Sequence, residues 1–293
     1  MADSPPRALH QDFLPGGGER AFVWKYSDPI GGRRPRHFHG EPEINVVVRG
    51  AATFGVGDRV LRVSQGELVA FPSGQDHALL EPSADLYLFA VGLKAQYSLR
   101  VLNGESPLPL HVRPDASELR AIVEGAAEIV DRPSSEQLGA ELWERIHWVS
   151  RRSGTFGGPA VHVLTRRTLQ RLQSAPELGL EALAAELGAH PTEISRHFHR
   201  DMGMTLVRYR TRHRLMRLME LVDGGQWQLT AAASSAGFGS YSQCHRAFQA
   251  ELGCAPRQFF SSGERERMQL VYAEPTEGCA APAQNCVKNF QDS

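Results

Sequence analysis

The stretch "GGRRPRHFHGEPEINVVVRG", residues 31–50, decides the fold of the N-terminal half of this 293-residue chain. His37 and His39 lie two positions apart, so on a strand both side chains point to the same face and can converge on one point. Glu43 follows the turn at 40–42 and can join them. Imidazole nitrogens and a carboxylate oxygen grouped in this way are typical ligands of a divalent transition metal.

A fourth candidate ligand, His77, lies in "GELVAFPSGQDHALLE", residues 66–81. Three imidazoles and one carboxylate suit Zn, Fe, Mn, Ni or Cu and leave room for a water or an organic ligand. The alternative is a pair of histidines on the surface or at the mouth of a barrel, without a metal.

The residues around these two motifs predict a β structure. Six short apolar or alternating runs lie between 21 and 92, separated by Gly, Pro and Asp: "AFVWKY", "EINVVV", "AATFGV", "RVLRV", "ELVAF" and "DLYLFAV". Strands at this spacing, with turns such as "VGD" and "PSG", are typical of an antiparallel sandwich or barrel.

Both motifs resemble those of the cupin superfamily, whose members are small double-stranded β-barrels. The first cupin motif falls on Gly31, His37, His39, Glu43 and Gly50, and the second falls on Gly66, Pro72, Gly74 and His77. Glu81 stands where the second motif ends in Asn. The resemblance implies a barrel over 21–100 and a metal held by His37, His39, Glu43 and His77. Three roles for the metal stay open: it is the signal, it anchors an effector through a carboxylate or similar donor, or it is a vestige of cupin enzyme chemistry.

Helical periodicity begins after Pro114. One face of a helix over 115–130 is formed by Leu119, Ile122, Val123, Ala126, Ile129 and Val130. A second stripe, over 135–151, is formed by Leu138, Leu142, Ile146 and Val149. This stripe makes 101–158 a candidate helical linker and dimerisation segment. Packing of the stripe against the protein's own barrel is the alternative.

The segment "LEALAAELGAHPTEISRHFHRDMG", residues 180–203, predicts a helix-turn-helix unit. Gly188 ends the first helix, because glycine readily takes the left-handed conformation of a helix C-terminus. Pro191 suits the first turn of the second helix, where a missing N–H costs nothing. Ile194 and Phe198 point inward, which leaves an outer polar face of Thr192, Ser195, Arg196 and His199.

The same pattern recurs in "LTAAASSAGFGSYSQCHRAFQAELG", residues 229–253, where Arg246 and Phe248 take the places of Arg196 and Phe198. Residues 204–222 between the units predict one long helix, which can hold two reading helices about one DNA turn, roughly 34 Å, apart. A single pair of helices is often only structural, but the repeat with arginine at the same phase favours DNA binding.

The stretch "AGFGSYSQCHRAFQAELGCAPRQF" resembles the second helix-turn-helix signature of the AraC/XylS family of bacterial transcription regulators. The resemblance covers about 160–260 and implies a double helix-turn-helix domain over 159–262. The base-facing candidates that it implies are Thr192, Ser195, Arg196, Tyr241, Ser242, Gln243 and Arg246. Arginine and glutamine can each make paired hydrogen bonds, to guanine and adenine respectively.

Phosphate contacts are expected at the helix N-termini near Thr192 and Ser240 and at Arg200, Arg208, Arg210 and Arg212. For any single arginine of the long helix, a solvated or packing role is the alternative. Phe260 stands where the family often has a basic residue, so one phosphate contact of the family is not expected here.

Charge and cysteine usage agree with a DNA-binding protein of the cytoplasm. Residues 160–267 hold 14 Arg and no Lys against 10 Asp and Glu, whereas the net charge of the whole chain is −1. A basic segment favours an anionic partner. We find no signal peptide, no membrane span and no disulfide framework among the four cysteines. Residues 1–20 predict a flexible arm, and 263–293, with Cys279 and Cys286, predict a disordered tail.

Together these features predict an α+β multidomain protein, with an N-terminal double-stranded β-barrel (cupin), a helical linker and a C-terminal all-α double helix-turn-helix domain. The hypothesis is a cytoplasmic, homodimeric, sequence-specific transcription regulator that is not an enzyme. Its expected partners are promoter DNA, a small-molecule or metal effector and, if it activates, RNA polymerase; no membrane is involved. The alternative is a metal-dependent cupin enzyme of the dioxygenase or isomerase type with an appended helical domain.

Overall fold

The computed structural model describes residues 9–10, 21–26, 36–93, 110–131, 141–146, 148, 161–175 and 177–261. The strands are β1 Leu9–His10, β2 Ala21–Tyr26, β3 His37–Phe38, β4 Glu43–Arg49, β5 Ala51–Val56, β6 Arg59–Ser64, β7 Leu68–Phe71, β8 His77–Pro82, β9 Tyr87–Leu93 and β10 Leu110–Val112. The helices are α1 Ala116–Asp131, α2 Val163–Ser174, α3 Leu180–Leu187, α4 Pro191–Met202, α5 Leu206–Asp223, α6 Leu229–Ser235, α7 Tyr241–Leu252 and α8 Pro256–Ser261, and residues 141–146 are also helical.

The strands form two five-stranded sheets, in the orders β1–β3–β8–β5–β6 and β10–β7–β4–β9–β2. Neighbouring strands are antiparallel except for β1 and β3, which are parallel. The inner faces of the two sheets share one apolar core, to which β4, β7 and β9 contribute from one sheet and β5, β6 and β8 from the other. This is the double-stranded barrel that the cupin motifs predict. All six predicted strands are present, and β1, β3, β8 and β10 are additional.

Strand β4 is buried on both faces. Val47 packs between the sheets, whereas Ile44, Val46 and Val48 pack on the opposite face, against α1. Burial on both sides is the reason why this strand reads as a continuous apolar run rather than as an alternation. The same alternation directs Glu43 and Asn45 to the barrel interior, together with Val47.

Helix α1 and the helical residues 141–146 cover the outer face of the sheet that contains β4. The predicted apolar face of α1 lies in this core, and Leu142, Trp143 and Ile146 complete it with 3%, 1% and 0% of their surface exposed. Two of the four dimer candidates, Leu142 and Ile146, therefore pack against the protein's own barrel, as the alternative interpretation predicted. Leu138 and Val149 lie outside the described residues.

Within the predicted arm 1–20, Leu9–His10 form a short strand that pairs with His37–Phe38 at the edge of a sheet. A two-residue strand without a neighbouring apolar run gives no periodic signal, which explains why the sequence did not reveal it. The other residues of the arm and the tail 263–293, including Cys279 and Cys286, lie outside the described residues.

The C-terminal part consists of two helical cores that share α5. Leu206 and Tyr209, near the start of α5, pack with α2, α3 and α4. Leu215, Leu218 and Met219, further along the same helix, pack with α6, α7 and α8. Each unit is thus anchored to the same 18-residue helix, about 27 Å long at 1.5 Å per residue. This confirms the predicted connection between the two helix-turn-helix units.

We predict that Trp143→Ala lowers the free energy of unfolding by about 3–5 kcal/mol, because it leaves a cavity in the core between α1 and the barrel. Trp148 is 53% exposed, so Trp148→Ala serves as the matched control, with an expected change within about 0.5 kcal/mol. Urea unfolding followed by circular dichroism measures both. Equal losses in the two variants would contradict the packing of residues 141–146 against the barrel.

Candidate metal centre and nucleic-acid interface

The structure brings all four predicted metal ligands together inside the barrel. His37 lies in β3 and is paired with His77, the first residue of β8, while His39 follows β3 and Glu43 begins β4. One potential ligand atom of each residue lies within 4.8 Å of the others. The four side chains are buried, with 4%, 2%, 7% and 2% exposure for His37, His39, Glu43 and His77.

Backbone carbonyls orient two of the imidazoles. The Nδ1–H group of His39 donates to the carbonyl oxygen of Glu41 at 2.7 Å, and that of His77 donates to the carbonyl oxygen of Gln75 at 3.1 Å. Since a carbonyl only accepts, Nδ1 carries a proton in both rings, and in the neutral form of such a ring Nε2 holds the lone pair that a metal ion requires. This second bond from a histidine to a carbonyl is the arrangement usual for metal-bound histidines.

The Glu43 carboxylate faces both of these Nε2 atoms. Its Oε2 lies 3.4 Å from Nε2 of His39, and its Oε1 lies 3.6 Å from Nε2 of His77. The Asn45 amide donates to Oε1 at 2.7 Å and so fixes the carboxylate. Sequence reasoning missed Asn45, although its position two residues after Glu43 on one strand places it on the same face.

Burial and mutual charge set the protonation of the cluster. Burial lowers the pKa of His39, against the opposing effect of Glu43. Burial alone would raise the pKa of the Glu43 carboxyl, but the neighbouring His77 and His39 bring that pKa well below its usual range. A neutral His39 and an ionised Glu43 are the forms that bind a metal ion.

These four residues fit a divalent transition metal. The separations of 3.4 and 3.6 Å between donor atoms are close to the distance of about 3.3 Å expected between ligands of a tetrahedral ion bound at about 2.0–2.1 Å. Nε2 of His77 is buried and has no hydrogen-bond partner among the described residues. Because such an atom is costly to bury unsatisfied, a cation at this point would remove the cost.

A cavity of ≈ 390 Å³, measured with its open mouth, adjoins the cluster. His37, Glu43 and His77 line one part of it. The rest is mainly apolar, apart from two polar residues, and is lined by Tyr26, Asn45, Phe54, Leu79, Leu88 and Ala90. The wall of the cavity therefore combines three of the candidate metal ligands with two polar and four apolar side chains.

The first predicted reading helix, α4, presents its polar face to solvent. His190 caps its N-terminus, with Glu193 bonded back to the His190 backbone N–H, and Pro191 occupies the first position. Ile194 and Phe198 are fully buried. Thr192 and Arg196 are exposed and Ser195 is half-buried, so all three predicted base-facing side chains lie on the accessible face.

The second reading helix, α7, repeats this arrangement. The Ser240 side chain caps it by accepting the backbone N–H of Gln243 at 3.2 Å. Cys244 and Phe248 are buried, whereas Ser242, Gln243 and Arg246 are exposed and Tyr241 is half-buried. The two helices thus expose arginines at matching positions, as the internal repeat predicts.

The four arginines that were predicted to contact phosphates differ in their exposure. Arg200 is bonded to Asp201, Arg208 to Glu251 and Arg210 to the backbone of Glu177. Those three keep some exposed surface, but Arg212 is 0% exposed and its guanidinium is enclosed by protein. The prediction of a phosphate contact at Arg212 is therefore wrong. The burial of Arg212 could have been predicted from its position in the sequence. It lies three residues after Tyr209 and four before Met216, on the buried stripe of α5.

Comparison with known proteins agrees with this division of the chain. Residues 25–91 match the model of the cupin domain family, and residues 183–262 match that of a helix-turn-helix domain of the AraC type. No curated protein matches the sequence.

Three solved structures illustrate the similarity. ToxT from Vibrio cholerae O395 superimposes with a TM-score of 0.46 at 11% identity, over 87% of this chain and 98% of its own. The C-terminal domain of AraT, a response regulator from Geobacillus stearothermophilus, gives 0.33 at 22% identity, over 37% and 88%. A mutant of the oxalate decarboxylase OxdC of Bacillus subtilis gives 0.23 at 25% identity, over 26% and 22%. These values are too low to transfer a ligand or a target.

Fold and site define a protein in which a β-barrel with a polar interior site precedes two helix-turn-helix units. The chain carries an AraC-type DNA-binding domain behind a cupin domain, which is the organisation of a DNA-binding regulator with a ligand-sensing domain. In the part of the chain that the structure describes, no helix combines the length and apolarity that a membrane span requires.

Proposed function

We propose that this protein is a sequence-specific transcription regulator whose cupin domain holds a divalent transition metal and whose helix-turn-helix units read adjacent major grooves of promoter DNA. One observation carries the proposal. Two capped helices, α4 and α7, expose matching polar faces while both are anchored to one continuous helix, α5. Such a frame holds two reading heads at a fixed separation, as binding to one face of a duplex requires.

Direct reading of bases is proposed for Thr192, Ser195 and Arg196 on α4 and for Tyr241, Ser242, Gln243 and Arg246 on α7. The arginines are suited to guanine through two parallel hydrogen bonds, and Gln243 is suited to adenine. Arg200 and the helix N-terminus at Ser240 are proposed to contact phosphates, since positive charge and free N–H groups position a protein on the backbone.

Zn, Fe, Mn or Ni is the proposed occupant of the site formed by His37, His39, Glu43 and His77. When bound, it would supply positive charge and, at a coordination number above four, a position for a donor atom of a small effector. Beyond the cluster, the cavity wall offers Tyr26, Asn45 and apolar side chains. This composition supports binding of an effector rather than proton transfer, so we propose a sensing role over dioxygenase or isomerase chemistry.

Three further features stay predictions: a cytoplasmic location, a homodimer and, for an activator, contact with RNA polymerase. The dimer contact is not assigned to Leu142 or Ile146, because both are buried in the barrel's own core.

We predict that the full-length protein, purified without chelator, contains about one equivalent of metal and that His77→Ala loses it, since one of its few ligands is removed. Elemental analysis measures both. His111→Ala is the matched control, because His111 is also a buried barrel histidine but is bonded to Glu67, away from the cluster. The control is expected to keep its metal. Absence of metal from the wild-type protein would instead point to a purely organic effector.

We predict that Arg246→Ala costs about 1–3 kcal/mol of DNA-binding free energy and relaxes specificity at one base position, because its paired hydrogen bonds to a base are lost. Gel-shift titrations of a bound promoter fragment and its point variants measure this effect. Arg217→Ala is the control, since Arg217 is exposed but paired with Glu220 on α5. A uniform loss over all sequences would mark Arg246 as a phosphate contact, and no retention of any promoter fragment at moderate salt would contradict the regulator itself.

A further inference from the structure

Two segments of the barrel, residues 37–39 and 73–77, contain the three histidines of the proposed metal site. The same two segments also contact the helical domain. Phe38 lies between His37 and His39, and the guanidinium of Arg212 on α5 stacks over its ring at 4.6 Å. Met216, one turn further along α5, packs against the same ring. The first ligand segment is therefore in direct contact with the helix that joins the two reading units.

The segment before His77 makes the polar half of this contact. Nη1 of Arg212 donates to the Asp76 carboxylate at 2.6 Å and to the carbonyl oxygen of Gly74 at 3.3 Å. Nε2 of His213 lies 3.2 Å from the carbonyl oxygen of Ser73, which makes the imidazole the donor. Asp76 is the immediate neighbour of the ligand His77 and also accepts from Arg36 of the barrel at 2.6 Å.

Arg212 also reaches the second reading helix. Its Nε donates to the Glu251 carboxylate, near the C-terminus of α7, at 3.0 Å. One fully buried guanidinium is thus shared between a carboxylate of the barrel and a carboxylate of a reading helix. Arg208 bonds to Glu251 as well, at 3.0 Å, but this contact stays within the helical domain.

The first reading helix meets the barrel through a second contact. The hairpin turn between β5 and β6 lies against the end of α4, where the Asp58 N–H donates to the carbonyl oxygen of Gly203 at 3.1 Å and Arg59 donates to that of Asp201. Gly203 is in the left-handed conformation, and a Cβ atom on it would lie 2.9 Å from the carbonyl oxygen of Val56. Each reading helix is therefore tied to the barrel near its C-terminal end.

The energetics of this interface suit a switch. A buried ion pair gains little net free energy, because the desolvation of both groups offsets much of their attraction. The docked arrangement is then specified by Arg212 without being strongly stabilised by it. In the docked arrangement α5 contacts the barrel, and in the undocked arrangement it does not. Small changes in the conformational freedom of residues 37–39 and 73–77 can shift the equilibrium between the two.

We propose that metal binding and docking of the helical domain are coupled through Arg212, which acts as a positioning residue between the metal cluster and the reading helices. The proposal rests on the metal site proposed above. A bound metal restrains His37, His39 and His77, and with them Phe38 and Asp76, so that docking of Arg212 requires less further ordering. Metal therefore favours the docked arrangement, and by reciprocity docking raises the affinity for the metal.

The test measures Zn²⁺ affinity in full-length protein by competition with a chromophoric chelator. Gly203→Asn places a side chain between α4 and the hairpin turn without replacing a metal ligand or Arg212, while Asn tolerates the left-handed conformation. The turn is itself joined to the ligand segment, since Val56 is paired with His77 and the Gly57 N–H donates to the carbonyl oxygen of Asp76 at 3.1 Å. Gly188→Asn is its matched control, because Gly188 ends α3 at the same φ of 62° and has no atom within 4 Å of an added Cβ. Arg212→Met removes the shared guanidinium, and Arg208→Met is its control.

We expect Gly203→Asn and Arg212→Met to weaken Zn²⁺ binding by roughly 5–150-fold, the usual range of coupling between sites, and both controls to bind within about twofold of wild type. Circular dichroism verifies that each variant is folded, and if Arg212→Met is not, Gly203→Asn decides alone. Wild-type affinity in the folded Gly203→Asn variant would overturn the coupling and leave the metal site standing. A wild-type protein that does not bind Zn²⁺ would overturn the metal site and the coupling together.

Discussion

The burial of strand β4 on both faces is the constraint on which the rest of the structure depends. Its residues alternate between the barrel interior and the layer formed by α1 and residues 141–146. A shift by one residue would turn Glu43 out of the interior and bring Ile44 in, so the register is fixed by two apolar cores at once. The carboxylate of Glu43 and the amide of Asn45 owe their place in the barrel to this register.

A second constraint links the barrel to the reading helices. Helix α5 belongs to both helical cores and also contacts the barrel, so its position cannot change without affecting at least one of these packings. Arg212 is the point where these contacts converge, since its partners come from the loop before β8 and from α7. Because both helix-turn-helix units are anchored to α5, a change in the barrel that moves this helix can affect both units.

Much of this architecture could be predicted from the sequence because its signals are local. Glycine and proline marked the ends of the helices around 188–191, and the spacing of His37, His39, Glu43 and His77 predicted that these four candidate ligands lie in one cluster. The stripe of dimer candidates over 135–151 shows what local sequence patterns cannot predict. The apolar face of Leu142 and Ile146 predicted burial, but periodicity does not reveal which surface covers it, and the structure places it on the barrel.

Arg212 shows that local sequence patterns are equally unable to predict the environment of a charged residue. In the sequence it is one of several arginines on a basic helix, and a phosphate contact is the natural expectation. Its burial depends on Asp76, which lies 136 positions away, and on Phe38, so only tertiary structure reveals it. The exposed arginines at 196 and 246 have no such distant partner among the contacts that the structure describes, which is why the internal repeat was enough to predict their exposure.

The central claim is that one chain holds its two reading helices, α4 and α7, at a fixed separation. Selection of bound sequences from a random pool of duplex DNA, with the full-length metal-loaded protein, tests it most directly. The expected result is a bipartite site whose two conserved elements lie about 10–10.5 base pairs apart, one helical turn of DNA. Enrichment of a single short element, or of no sequence at all, would contradict it.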